Sequence, residues 1–535
     1  MYSARFLLVY VSIFACVSLA SCTSMETTSV VDYIGVVGAR SRSRNAAKSR
    51  PAMVITQPAV STSRSASLPA PLQLTVEDAI VMAIESNREL AVERLNPQIR
   101  RTFEQQELAA FDPLLTASAT YQRERITRPL TTQVAEGPGA QVGIQEYLPT
   151  GTTLQLDGST SAQQGASGED DAWTSRVELS ATQALLRGAG LAVNLVGVRQ
   201  ARLDILTSQY ELRGFVQDLV AEVEKTYWDY VLAQRQIEIV QSSLALAEQQ
   251  YEETRERIRI GKLAEVELAA AEAEVALRRE DLINAKSLLE TTRLKLLRLL
   301  NPQDMDMADA QISLATLPAI PESPLDAVGH HVETAMRLRP DLNQARLLVQ
   351  RNELELVRTR NGLLPRLDLF ITLGATGYAG SFGDSVHKTG DRNYDVLVGV
   401  SGDYPPLNRE ARAQHRRATL DRDQASLAMD NLDQLAEVDV RSAYIELKRA
   451  REQVQATAAT RRLQEEKLRS ETEKFRVGKS TTLLVATAQR DLLSSQLSEV
   501  EAVVTHLQAL IELRRLEGSL LDHCGVSCPG GEPVR

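Results

Sequence analysis

Few side chains in this 535-residue chain stand at spacings that chemistry demands. Its six histidines, at positions 330, 331, 387, 415, 506 and 523, include no His-x-x-x-His pair, the spacing that sets two imidazoles on one helix face for a metal. No nucleophile elbow and no Gly-rich phosphate loop occurs. Arg187-Gly188-Ala189-Gly190 imitates part of a dinucleotide fingerprint. However, Val193 stands where the third glycine is needed, and the strand before it alternates instead of being continuously apolar. It reads as a turn. Cys524 and Cys528 lie in a tail containing Gly and Pro. A local disulfide is expected there in an oxidising compartment, and a metal would need more ligands than the tail provides. The expectation is a chain that is not an enzyme, with no catalytic residue, no cofactor and no metal.

One cysteine is left with chemistry of its own. Arg5 is followed by an apolar run from Phe6 to Ala20, too short for a comfortable membrane span, so residues 1–21 read as a signal peptide. The run ends in Leu19-Ala20-Ser21-Cys22, which resembles a bacterial lipobox. That resemblance implies cleavage before Cys22 and lipidation of its thiol. Thr23, where an Asp tends to retain lipoproteins in the inner membrane, favours the outer membrane. Residues 22–71, rich in Ser, Thr, Ala, Arg and Pro and without periodicity, read as a lipid-anchored flexible tether.

What remains must be explained by its elements. Apolar residues make up 43% and aromatics only 4%, a composition weighted towards long helices with narrow seams. The net charge is −10 with mixed signs, so no basic nucleic-acid surface is present. Two stretches then prove to repeat. Asn87-Arg88-Glu89-Leu90 opens a helical pattern that runs to Ala110 and meets Pro113. Arg339-Pro340-Asp341-Leu342 opens another that runs to Arg360 and meets Pro365. Leu90 to Leu342 and Pro113 to Pro365 are both 252 positions apart. Further on, Tyr227 matches Tyr444, and Ile260-Gly261-Lys262 matches Val477-Gly478-Lys479, at a spacing of 217. The difference of 35 places an insertion in the extended region of the first copy. The divisions are a first helix, strand and long-helix repeat over 72–302, a connector over 303–325, a second repeat over 326–520, and a tail over 521–535.

The extended regions alternate with period two. Leu115, Ala117, Ala119 and Tyr121 oppose Thr116, Ser118, Thr120 and Gln122; Val177 and Leu179 oppose Arg176 and Glu178. Leu367, Leu369, Ile371 and Leu373 form the corresponding face in the second copy, where Phe370 breaks the pattern, and Tyr394 to Val400 returns. Strands with one apolar and one polar face suit a membrane barrel with a wet interior, and Tyr121, Trp173, Tyr378, Tyr394 and Tyr404 suit an interfacial belt. The inserted segment, with Val142, Ile144, Pro149-Thr150-Gly151, Leu154 and Leu156, reads as a further hairpin, in the barrel or outside it. A proline-free stretch from about Leu191 to Ile260 follows. Its seam of Val216, Leu219, Val223, Thr226, Tyr230, Ala233, Ile237, Val240, Leu244, Ala247, Tyr251, Thr254 and Ile258 keeps a heptad spacing. Gly261 turns the chain, and a second helix returns to Leu300. The second copy does the same from about Glu410 to Val477 and from Lys479 to Leu516.

Lipobox, doubled helix–hairpin–helix copies and Ile/Val-Gly-Lys turns together resemble the TolC-like outer-membrane efflux protein family, over about residues 72–520. The resemblance implies an α+β membrane protein: a homotrimer forming an outer-membrane β-barrel continued by a long periplasmic α-helical barrel of coiled coils, with an internal two-fold repeat. It further implies a passive exit duct for a tripartite efflux or type I secretion system, joined to an inner-membrane pump through a periplasmic adaptor protein. On this resemblance the adaptor meets the turns at Ile260, Gly261, Lys262, Val477, Gly478 and Lys479, with Arg259 and Arg476 serving that contact or pairing across neighbouring helices. Some family members narrow the tip with carboxylate rings after each turn. Here Glu267 stands six past the first glycine, but Leu484 and Thr487 follow the second, so one acidic ring and one apolar constriction replace a double ring. A soluble periplasmic coiled-coil adaptor or structural lipoprotein is the alternative, although an adaptor would show one helical hairpin between β-rich modules.

Overall fold

The computed structural model describes residues 72–128, 131–163, 172–302, 312–316, 318, 320, 325–390, 393–532 and 534. The signal peptide, Cys22, the tether and most of the connector lie outside the described residues. The rest divides into two compact units: residues 97–208 with 345–429, and residues 72–96 with 209–344 and 430–535.

The first unit is built on a six-stranded antiparallel sheet. Its strands are β2 (Leu114–Arg128), β3 (Thr131–Leu148), β4 (Thr152–Gln163), β5 (Ala172–Ala184), β7 (Arg366–Ala379) and β8 (Tyr394–Asp403), hydrogen-bonded in that order. The inserted hairpin is thus part of the sheet: β3 and β4 stand between the two strands that flank the insertion, with Ile144 opposite Leu156 and Leu156 opposite Leu179. The register keeps the expected faces. One transverse row runs Thr116, Gly143, Asp157, Glu178, Gly374 and Asp395. The neighbouring row, of opposite pleat, holds Leu115, Ile144, Leu156, Leu179, Leu373 and Val396. The apolar side chains of that row are largely exposed in the single chain, as suits a face without an aqueous partner. Phe370 lies on the polar face, where its register partner Gly399 leaves room for the ring. Between β7 and β8 the short helix Phe382–His387 packs back on the sheet, Phe382 edge-on to Trp173 at 5.6 Å.

The short helices Leu191–Asn194 and Phe382–His387 belong to the first unit, whereas the second unit is helical apart from one short strand pair. Its opening helix starts earlier than the repeat alone suggests and is broken: α1 (Val76–Ser86), α2 (Arg88–Glu93) and α3 (Asn96–Leu108), the last passing into the first unit. Asn87 causes the first break, since its side chain accepts from Leu90 N and donates to Leu299 O at 3.1 Å. A short helix, α4 (Leu191–Asn194), precedes the long helix α5 (Val196–Arg259), which returns as α6 (Val266–Leu300). The second half has α7 (Val328–Leu338), α8 (Pro340–Gly362), α9 (the Phe382–His387 helix), the long α10 (Arg409–Arg476), the returning α11 (Thr482–Leu516) and a short α12 (Leu520–His523). Both returning helices have 35 residues, shorter than expected because each tip takes several residues. Every residue of the α5 seam is buried or half-buried; Thr226 and Thr254 are fully buried, and their hydroxyls have no hydrogen-bond partner among the described residues.

Two features were not visible as periodicity. β1 (Leu72–Leu74) and β6 (Ile312–Leu314) form a parallel pair. Tyr227 ties it to α5: its hydroxyl donates to Leu74 O at 3.1 Å and accepts from Thr316 N at 3.3 Å. The C-terminal tail is packed, with Leu520, Leu521 and Val526 buried in the same apolar cluster as Tyr227 and Leu296. The expected local disulfide is absent. Cys524 and Cys528 are free, and the Cys524 thiol instead donates to Glu224 Oε1 at 3.2 Å. Burial pushes the Cys528 thiol up to about 11 and that of Cys524 higher still, so both stay protonated and poorly disposed to thiolate chemistry.

Candidate functional site

The repeated glycine turns close both long hairpins in one way. Gly261 and Gly478 have φ of 74° and 75°, the left-handed conformation that glycine adopts without strain. Around the first, Gly261 N donates to Ile258 O at 2.9 Å and Lys262 N to Arg257 O at 2.8 Å. Around the second, Gly478 N donates to Phe475 O at 3.1 Å and Lys479 N to Lys474 O at 2.8 Å. This is the paired-bond helix stop that satisfies the last carbonyls of a helix. A Cβ on either glycine would meet open space, so the positive φ alone requires glycine.

Around these turns the chain exposes apolar side chains. Ile260 is 57% exposed, Val477 67%, Val266 84% and Leu484 51%. Lys262 and Lys479 are exposed beside them. Glu267 is half-buried and has no ion pair among the described residues. The halves differ in how the returning helix starts. Thr481 caps α11 by accepting from Leu484 N, whereas Glu265 at the start of α6 makes no side-chain cap. Arg259 and Arg476 pair within their own helices, with Glu256 and Glu473, rather than across neighbouring ones.

Sequence reasoning missed the residue that joins the two tips. The Arg257 guanidinium lies over the Phe475 ring, 4.6 Å from its centroid, and Nη1 donates to Phe475 O at 3.4 Å. Phe475 is buried, so the stacked cation is partly desolvated, which strengthens the attraction. The available signal was positional: Arg257 and Phe475 stand four and three residues before their glycines. Nearby, Lys474 and Ser480 bond Glu471, and those hydrogen bonds hold its carboxyl below the ordinary range. Farther along the returning helices, Glu274 accepts from Arg278 of α6 and forms an ion pair with Arg490 of α11 at 3.3 Å. Arg278 also holds Asp281 at 2.7 Å, and Glu274 and Arg278 are buried. No group of three or more His, Cys, Asp or Glu among the described residues is placed to hold a metal, and no described helix is long and apolar enough to cross a membrane.

The model of the family described as outer membrane efflux protein matches residues 79–302 and 332–519. The chain belongs to that family. It is thereby a TolC-like transport protein of the outer membrane, and the match takes in both glycine turns and the helices on either side. Among solved structures, the CmeC outer membrane channel of Campylobacter jejuni is similar with a TM-score of 0.64 at 15% identity, covering 83% of this chain and 86% of that one. VceC of Vibrio cholerae gives 0.63 at 15% identity, over 83% and 96%. MtrE of Neisseria gonorrhoeae, solved in an open state, gives 0.58 at 20% identity, over 83% and 89%. These likenesses show a fold shared with the CmeC and MtrE outer membrane channels. No curated protein matches the sequence.

Proposed function

We propose that this efflux-family channel is the passive exit duct of a tripartite efflux or type I secretion system, a homotrimer opened by a periplasmic adaptor at its hairpin tips. The carrying observation is the pair of tips: two turns of the same geometry, each crowned by exposed Ile260 or Val477 and flanked by lysine. Exposed apolar groups gathered at a turn mark a contact surface rather than a solvated end. Trimer closure is supported by the sheet, whose terminal strands β2 and β8 each leave one edge unpaired among the described residues. A hydrocarbon layer tolerates no open edge, so copies must complete the hydrogen bonding as a barrel. The lipidated Cys22 would add an anchor in outer-membrane lipid.

In this reading Arg257 on Phe475, with the Glu274–Arg278–Arg490 cluster, holds the hairpins together in the closed state. Glu267, repeated by three chains, forms an acidic ring that attracts cations, and Leu484 an apolar constriction. Adaptor binding opens the tip only by as much as it prefers the splayed form. The chemical energy comes from the inner-membrane pump.

Two measurements test this. Replacing Gly261 and Gly478 together by valine should abolish export while leaving a trimer of normal yield; unchanged export would remove the tips from the mechanism. Ile260→Cys and Val477→Cys should crosslink to the co-expressed adaptor in intact cells. Exclusive crosslinking from the β-sheet instead would place the partner elsewhere.

A further inference from the structure

The polar face of the six-stranded sheet contains glycines that its backbone does not require. Gly143, Gly374 and Gly399 lie inside β3, β7 and β8, and none has a left-handed φ. Glycine inside a strand weakens it, and its presence often marks a close approach by another group. Each of the three is covered by a larger side chain from an adjacent strand. A Cβ on Gly143 would collide with the carboxylate of Asp157, its register partner. On Gly374 it would collide with the Arg176 guanidinium and stand 2.6 Å from Asp395 Oδ1. On Gly399 it would stand 2.6 Å from Phe370 Cζ. Real Cβ atoms essentially never come within 3.0 Å of such neighbours.

The covering groups are also tied sideways. Arg176 Nη1 and Nη2 donate to the two oxygens of Asp395 at 2.9 and 2.8 Å, Nε donates to Glu178 at 2.9 Å, and Nη1 reaches Thr376 at 3.2 Å. The Arg176 side chain therefore lies across β5, β7 and β8 along the wall. Asp157 accepts from Gln141 Nε2 at 3.3 Å, again along the wall. Charge-assisted pairs of this geometry hold a side chain in one orientation.

We propose that Gly143, Gly374 and Gly399 are the size-determining residues of the outer-membrane passage, bedding Asp157, Arg176 and Phe370 flat so that the bore passes bulky polar cargo. This rests on the barrel reading above. Three copies of the six-stranded sheet make eighteen strands, in the range where a barrel encloses an aqueous channel. Width gained that way is lost if large side chains stand upright, and the glycines prevent it.

The test is polymer exclusion. Purified trimer is placed in planar bilayers, and polyethylene glycols of graded mass are added on the barrel side, where those that enter the vestibule lower the conductance. Gly374→Val should lift the guanidinium and lower the mass cut-off. Gly374→Val combined with Arg176→Ser should restore the cut-off, because the valine then fills the space the guanidinium has left. Gly143→Val provides an independent site. An unchanged cut-off in intact trimers of both single variants would overturn the proposal, as would a lowered cut-off that Arg176→Ser fails to restore. If the wild-type protein forms no channel at all, the barrel reading falls first, and this inference with it.

Discussion

At Glu224 the long helix α5 sets a carboxyl beneath the C-terminal segment, where the Cys524 thiol is its hydrogen-bond donor. Burial raises its pKa, and the thiol and the Arg514 charge only partly oppose that. The folded chain therefore holds this proton more tightly than the unfolded chain. Stability from the site is fully present below the ordinary carboxyl value of 4.5 and is lost as pH rises through the raised one. Glu224→Gln should accordingly raise the thermal midpoint at pH 8, with the gap closing as pH falls through the raised value towards 4.5; a gap that widens in acid would mean the carboxylate is paired and stabilising. Nothing at this position announced itself in the sequence, because Glu224 reads as one more polar residue on a helix. The glycines at 261 and 478 were legible at the same scale. Their repetition with Lys one residue on, at the end of a proline-free helix, leaves a left-handed stop as the economical geometry.

Among the elements, the α5 seam shows what periodicity captures. A heptad spacing fixes which face is buried, and burial follows it from Val216 to Ile258. The two threonines in that seam are fully buried, with no partner for their hydroxyls among the described residues. Thr226→Val keeps the shape and removes the unsatisfied group, so it should stabilise the fold by about 1 kcal/mol, read from chemical denaturation of the solubilised protein. A loss of stability would instead assign the hydroxyl a partner supplied by another chain. Strand alternation was equally legible, down to the exception at Phe370, whose explanation needed the register partner Gly399. The breaks in the opening helix were not, since Asn87 acts through Leu299, a contact 212 positions away. Nor was the pairing of β1 with β6, because three residues are too few to show a period. Arg257 on Phe475 was hidden for the same reason: neither residue is unusual alone, and only the proximity of the two tips joins them.

For the whole molecule, the family match gives an outer-membrane protein, and the proposed barrel requires that copies cover the β2 and β8 edges left unpaired among the described residues. Carbonate and urea washes should leave it in the membrane pellet, and detergent should release it as a trimer. Release by carbonate would support the soluble coiled-coil alternative instead. The β1–β6 pair has a consequence of another kind, in the order of events during biogenesis. Leu72 meets Ile312 across some 240 intervening positions. Closing so long a loop is slow relative to local helix formation. The first folded element of the mature body must therefore wait until well over half of the chain has left the export machinery. During that interval Leu74 and the apolar face of α1, both buried in the finished protein, stay uncovered. A periplasmic holding factor would find its binding site there, at the beginning of the chain.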